Sequence, residues 1–363
     1  MTTDKVKEKY SNRSSRWKQI VLLLILTLVV AVILCLNIGY APISFSDILA
    51  IFAKQIPFLN RNFDFSHISS GTEAIIVQIR FPRILAGVLV GAGLAAAGVM
   101  YQGVFRNPMA DSYLLGASAG ASLAYTLAVL YAGTTFGLTY LGLGVFQVVA
   151  FAGAILTVFV VYFMARTGNK VPVTTLLLAG IVMNIFLLAL QTLFELRSQN
   201  QTIQGIIAWT SGGGLSNATW NSVISVTPFV VVGILVAYFF TKDLNMLSMG
   251  DDTAQHLGVN TERVRQILLV LASLITAAVV AISGVIGFVG LIIPHLTRLV
   301  IGPDHRILLP TSAIVGAIFL ILCDSVARVA TGASELPVGV ITAMVGTPFF
   351  IYLLRKRKTS YSL

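Results

Sequence analysis

Apolar residues run along this chain in long blocks, broken by short polar stretches. Ten blocks stand out, near 20–38, 84–104, 113–132, 141–165, 173–196, 222–241, 264–283, 285–301, 307–328 and 338–354. Most come close to the ~20 residues a helix needs to cross ~30 Å of hydrocarbon. The eighth is short and contains Pro294. The pattern predicts an all-α, polytopic membrane protein with about ten transmembrane helices. The transmembrane domain then covers 20–354, with tails at 1–19 and 355–363 and a polar loop at 242–263.

Composition agrees. Of the 363 residues, 56% are hydrophobic and 10% are charged, against roughly 25% charged in a soluble domain. Mean hydropathy is +0.89. The first block is unbroken for 17 residues and no A-x-A-like site follows it, which predicts a retained helix in place of a cleaved secretory signal.

Charge placement then orients the chain. An even number of crossings puts both termini on one side. With the N-terminus inside, 18 of the 24 basic residues fall in inner segments, leaving Lys54, Arg61, Arg80, Arg83, Arg197 and Arg328 outside. The excess predicts cytoplasmic termini in a cell (inner or plasma) membrane, and a cytoplasmic 242–263 loop. The net charge of +10 sits at block ends, with no basic stripe interleaved with aromatics, so no nucleic-acid partner is expected.

The chemistry-bearing residues argue against catalysis. Cys35 and Cys323 lie within apolar blocks, outside any C-x-x-C, and read as packing residues. His67, His256, His295 and His305 are scattered; there is no H-E-x-x-H, G-x-S-x-G or G-x-x-x-x-G-K-[ST]. An ion-driven carrier usually places ionisable groups near mid-membrane. Here Asp111, Glu195, Asp324 and Glu335 fall near block ends, and Asp324 and Arg328 share a helical face four residues apart. If transport is active, its power comes from another subunit.

Glycines, 31 in all, recur inside the blocks, as in "GVLVGAGLAAAG" (87–98), where small residues let helices approach closely. "AGVMYQGVFRNP" (97–108) and "SGVIGFVGLIIP" (283–294) form a faint repeat, as in transporters built from two halves. In "IPHLTR" (293–298), Pro294 bends a helix while His295 and Arg298 meet headgroups or carbonyls at the inner boundary.

The polar island "SMGDDTAQHLGVN" (248–260) stands out among the loops. Asp251 or Asp252 can cap a helix by accepting backbone N–H bonds. Ala254, Gln255 and Leu257 favour helix, and Gly258 can end one in the left-handed conformation. On these residues alone an ordinary solvated loop is the preferred reading.

The stretch "IRFPRILAGVLVGAGLAAAGVMYQGVFRNPMADSYLLGASAGA" (79–121) resembles the signature of the FecCD-type permeases, the membrane subunits of ABC importers for iron-siderophores, haem and cobalamin. "GVIGFVGLIIPHLTRLVIGPDHRILLP" (284–310) and "ELPVGVITAMVGTPFF" (335–350) resemble the C-terminal half of the same family. The likeness runs from about residue 20 to the end; 54–75 matches none of its motifs.

That resemblance implies a type II ABC importer permease fold, paired with an identical or related second permease subunit. It implies no cofactor in this chain, since a pair of partner ATPases binds the ATP and magnesium, and no enzymatic activity of its own. An extracellular or periplasmic binding protein would deliver an iron(III)-siderophore, with cobalamin or haem as alternatives. The resemblance also makes the 242–263 loop, which contains the polar island, two short helices seated in an ATPase groove, with coupling through Gly250, Asp251, Asp252, Ala254, Leu257, Gly258 and Val259. It assigns Arg80, Arg83 and Arg328 to salt bridges with binding-protein glutamates, which suits the planar guanidinium; simple interfacial anchoring is the alternative for Arg80 and Arg83. An ion-coupled secondary transporter remains the rival class.

Overall fold

In hydrocarbon every main-chain N–H and C=O must be paired within its own segment, so apolar blocks of this length fold as helices. The computed structural model describes residues 3–39, 41–55, 68–132, 139–140, 143–168, 171–198, 200–332 and 335–358. Arg61 and His67 in the 54–75 segment, Lys170, and residues 359–363 of the C-terminal tail lie outside the described residues.

Fourteen helices are labelled here in chain order. They are α1 (Thr3–Asn37), α2 (Phe45–Lys54), α3 (Ser70–Phe105), α4 (Ala117–Ala132), α5 (Val145–Ala165), α6 (Val173–Glu195) and α7 (Asn200–Thr210). After them come α8 (Trp220–Phe239), α9 (Thr241–Leu247), α10 (Asp251–His256), α11 (Thr261–Ser283), α12 (Val289–Ile301), α13 (His305–Val329) and α14 (Val338–Lys358). A minimal antiparallel pair, Thr139–Tyr140 with Leu143–Gly144, precedes α5. Seven helices are long and apolar enough to span a membrane, and 117–131, 289–301 and 338–352 are shorter apolar helices. The chain is a multi-pass, all-α membrane protein.

α3 is the axis of the bundle, with α13, α11, α12 and α8 packed around it. Its run of glycine and alanine is the reason. A Cβ on Gly98 would stand 1.9 Å from the Gly290 carbonyl oxygen, and one on Gly91 would stand 2.3 Å from that of Gly316. Bare backbone therefore meets bare backbone at both crossings, the close approach that replaces hydrophobic driving force within a bilayer. α6 sits at the margin, with Leu178, Ile185 and Leu188 about 60% exposed or more.

α3 also contains a π-type turn at Ile75–Arg80, closed by the Phe81 N–H bonding to the Ile76 carbonyl. Pro82 follows at once. Proline lacks the N–H and crowds the carbonyl four residues before it, and the wider turn accommodates both.

The sequence repeat does not carry into local structure. Residues 97–108 form the end of α3 and its exit, whereas 283–294 contain the break between α11 and α12, where Gly284 and Phe288 have φ of +72° and +70°. Arg298 likewise departs from expectation: it donates to Gln102 Oε1 at 2.9 Å, and Gln102 in turn donates to the Leu291 carbonyl at 3.1 Å. The pair ties α12 to α3.

Candidate functional site

The polar loop folds as two short helices, α9 just before the island and α10 within it, joined through Gly250 at φ +116°. Gly250 itself occupies the cap position, so neither Asp251 nor Asp252 caps the helix as the sequence suggests; both sit in its first turn, where a carboxylate still favours the helix dipole. Asp251 has another partner set. It accepts from Arg265 Nη2 at 3.1 and 3.2 Å and forms an ion pair with Arg106.

Those two arginines belong to different spans. Arg106 ends α3 in a left-handed conformation, φ +48°, and Arg265 lies in the first turns of α11 with 7% of its surface exposed. Arg265 also pairs with Glu262 at 3.3 Å, and Glu262 accepts the Val171 N–H at 3.1 Å just before α6. One carboxylate thus fastens the island to α3 and α11, and its neighbour continues the chain of contacts to α6.

Within the island Ala254 is fully buried and Val259 nearly so, while Asp252, Leu257 and Gly258 are exposed. Gly258 adopts φ +88° as the sequence suggests, and a Cβ there would meet nothing. The Val259 N–H returns to the Ala254 carbonyl at 3.0 Å, closing the helix end.

A second fastening lies at this end. Asn245 accepts the His305 N–H at 2.9 Å and donates to Asp304 at 2.9 Å. Burial presses the Asp304 carboxyl upward, but the Arg306 and Asn245 donors outweigh it and hold the group well below the usual carboxylate range. The Arg306 guanidinium lies 5.3 Å over the Trp17 ring, within cation–π reach.

Arg80, Arg83 and Arg328 meet at the opposite ends of their helices, and each is only 4–6% exposed. Arg83 grips Asp324 through Nε and Nη2 at 2.9–3.2 Å and reaches Glu335 through Nη1 at 2.6 Å. Asp324 also pairs with Arg328 at 3.2 Å. Arg328 continues to the carbonyls of Ile38 and Cys35 at 3.1 and 3.3 Å, and Arg80 to those of Leu36 and Ala41. The sequence foresees the Asp324–Arg328 contact but misses the stronger bidentate one, whose partners are 241 residues apart. In this structure the side chains are internal ties, with Glu335, 39% exposed at its side chain, as the open member.

Arg106, Glu262 and Arg265 were also missed, because none of the three belongs to a motif with a chemistry of its own. Polar residues of α4 and α6 were missed likewise; they line a cavity of about 550 Å³. Among the described residues no three of His, Cys, Asp and Glu group closely enough to hold a metal ion.

The order of these elements has known counterparts. The FecCD transport family matches residues 26–356. The chain belongs to that family. It is 43% identical over 286 residues to the cobalamin import system permease protein BtuC of Halobacterium salinarum, covering 79% of this chain and 74% of that one. It is 35% identical over 332 residues to the iron(3+)-hydroxamate import system permease protein FhuG of Bacillus subtilis, covering 91% and 95%. A solved metal-chelate type ABC transporter in an inward-facing conformation has a TM-score of 0.78 at 29% identity, covering 93% of this chain and 99% of that one. This FecCD member is therefore alike along almost its whole length, and the fastened island lies within the matched region.

Proposed function

We propose that this chain is the membrane permease of a binding-protein-dependent ABC importer for metal chelates, working as one of a pair of such subunits. The observation that carries the reading is the α9–α10 unit: two short helices outside the spans, fastened by Asp251 to the ends of α3 and α11. A short helix held in this way is a lever, and motion applied to its exposed Asp252 and Leu257 reaches two central spans through one carboxylate. Met249 and Leu257, 66% and 56% exposed, offer apolar contact to a protein seated there. The ATPase pair would dock on this face, binding the ATP and magnesium, and the face would be cytoplasmic, as would both termini. Ten crossings fit the seven long and three shorter apolar helices.

A binding protein would dock at the Arg80 end. Its acidic residues would compete with Asp324 and Glu335 for Arg83 and Arg328, so docking and rearrangement of that end would be linked. An ion-coupled carrier is less well supported: among the described residues Asp324 is the buried acid of the spans, and it is already neutralised by two arginines.

Uptake in vesicles is the test. The permease co-purified with its ATPase should accumulate chelate only when ATP is supplied. Accumulation driven by a proton or sodium gradient with no ATPase present would overturn the proposal.

A further inference from the structure

Two cavities lie along α4. Ser118, Ser122 and Tyr125 recur at intervals of four and three, so they share one face of the helix. Ser118 and Ser122 line the cavity of about 550 Å³; Tyr125 lines a second, of about 400 Å³. The opposite wall of the larger one is the face of α6 that carries Ile181, Asn184, Leu188 and Gln191. α7 closes both: Thr210 lines the first, Trp209 the second. Tyr125 and Trp209 stack with ring centroids 3.9 Å apart and planes within 4°.

Apolar side chains make up much of the first wall, and the polar groups of both linings are uncharged. Tyr113, Ser118, Ser122, Asn184, Gln191 and Thr210 supply hydroxyls and amides in the first cavity, and Gln147, Asn217 and Asn221 supply amides in the second. No Asp, Glu, Lys, Arg or His is among the described residues that line either one. The charge that touches the lining is negative, since Gln191 donates to Glu195 at 2.7 Å. Of the arginines at the Arg80 end, Arg83 borders a separate space of about 100 Å³, where it is already committed to Asp324 and Glu335.

We infer that these cavities form part of the transport path and select an electrically neutral metal chelate whose periphery carries amides and hydroxyls; this rests on the importer reading above. Moving a polyanion out of water into a low-dielectric wall with no cation is heavily penalised. A neutral chelate meets no such penalty. Its amides can exchange water for the hydroxyls and amides of the wall, while its methylenes lie on Ile181, Ile185 and Leu188. The charge balance of iron(III) makes the distinction sharp: three hydroxamates cancel the metal charge, whereas citrates or catecholates leave a net negative complex.

The experiment uses proteoliposomes containing the permease–ATPase assembly and its binding protein. The probes are radiolabelled ferrichrome and cyanocobalamin, both neutral, and ferric dicitrate and haemin, both anionic. ATP-dependent accumulation of one neutral probe at least tenfold above either anionic probe is the expected result. Ferric dicitrate or haemin entering as fast as both neutral probes would overturn the inference. To separate the permease from the binding protein, Ile181→Lys and Thr210→Lys are tested with that protein unchanged. Each variant that inserts and binds ATPase should raise the anionic-to-neutral uptake ratio at least fivefold; an unchanged ratio in both would overturn the assignment of the path. Failure of the importer reading looks different, as chelate uptake that ignores ATP whatever the probe's charge.

Discussion

Arg83 and Asp324 meet as a bidentate pair at 2.9–3.2 Å, both side chains less than 10% exposed. Removing one member strands the other in a medium that does not solvate it. Asp324→Ala should therefore cost about 3–5 kcal/mol, the usual price of breaking a buried pair. Arg83→Met added to Asp324→Ala should recover part of the loss. Thermal unfolding in detergent, followed by size-exclusion chromatography, measures both; equal stability of Asp324→Ala and the parent chain would refute the assignment.

Glu335 is the open end of that network, and its role can be isolated. Glu335→Gln frees Nη1 of Arg83 without removing a buried charge. If binding-protein carboxylates compete for this arginine, the variant should bind the loaded delivery protein at least threefold more tightly in nanodiscs, with a steeper salt dependence. Weaker or unchanged binding would count against competition at this site.

Asp251 provides a cleaner separation of assembly from coupling. Asp251→Asn weakens the ties to Arg106 and Arg265 but keeps the exposed face of α10. We expect the ATPase to remain bound and hydrolysis to continue, while uptake per ATP falls about tenfold or more. Asp252→Asn, with no tie to a span, should leave the ratio near that of the parent. The two measured together discriminate a lever from a solvated loop.

Asp111 lies between α3 and α4, where its carboxylate accepts the Tyr113 N–H at 3.0 Å. Burial pushes its carboxyl up to about 6, and the bonds from Tyr113 and Leu114 only partly offset this. The folded chain holds the proton up to that pH, whereas an unfolded carboxyl releases it near 3.8. Stability should thus fall as pH rises through that interval and level off above it. Asp111→Asn, which can still accept the cap bond, should flatten the slope and gain at most about 3 kcal/mol at neutral pH. Unfolding at pH 4, 5, 6 and 7 checks the sign.

Gly98 tests the packing account directly. Any side chain there must push α3 away from Gly290, so Gly98→Val should reduce the properly folded fraction sharply. Gly258→Ala, facing open space, should cost only about 1 kcal/mol for its left-handed backbone. The contrast, read from detergent-solubilised yield, separates glycine kept for contact from glycine kept for conformation.

The fold was legible because lipid makes a simple demand: apolar length announces a span, and the ten blocks all correspond to helices. Gly258 was legible too, since a glycine after Ala254 and Leu257 has a local reason to end a helix. Asp251 was half legible. Local grammar makes it a cap, but Gly250 can occupy the cap position with a φ closed to other residues, leaving the carboxylate for distant arginines. The Arg83–Asp324 pair was invisible for the same reason, because nothing near either residue points across the bundle. Ser118, Ser122 and Asn184 form a shared wall only once α4 and α6 are placed side by side.

The π-type turn at Ile75–Arg80 has a consequence for descent as well as for shape. Such a turn holds about one residue more than an α-turn, and each residue rotates a helix by about 100°. A one-residue deletion there would restore a regular helix and leave Phe81–Phe105 in place against α13. The helical turn before it, Ser70–Ala74, would swing around the axis, while α1 stays packed on α13. The approach to this end of the bundle can thus be re-aimed by the smallest possible change in chain length, while the glycine crossings at Gly91 and Gly98 stay fixed.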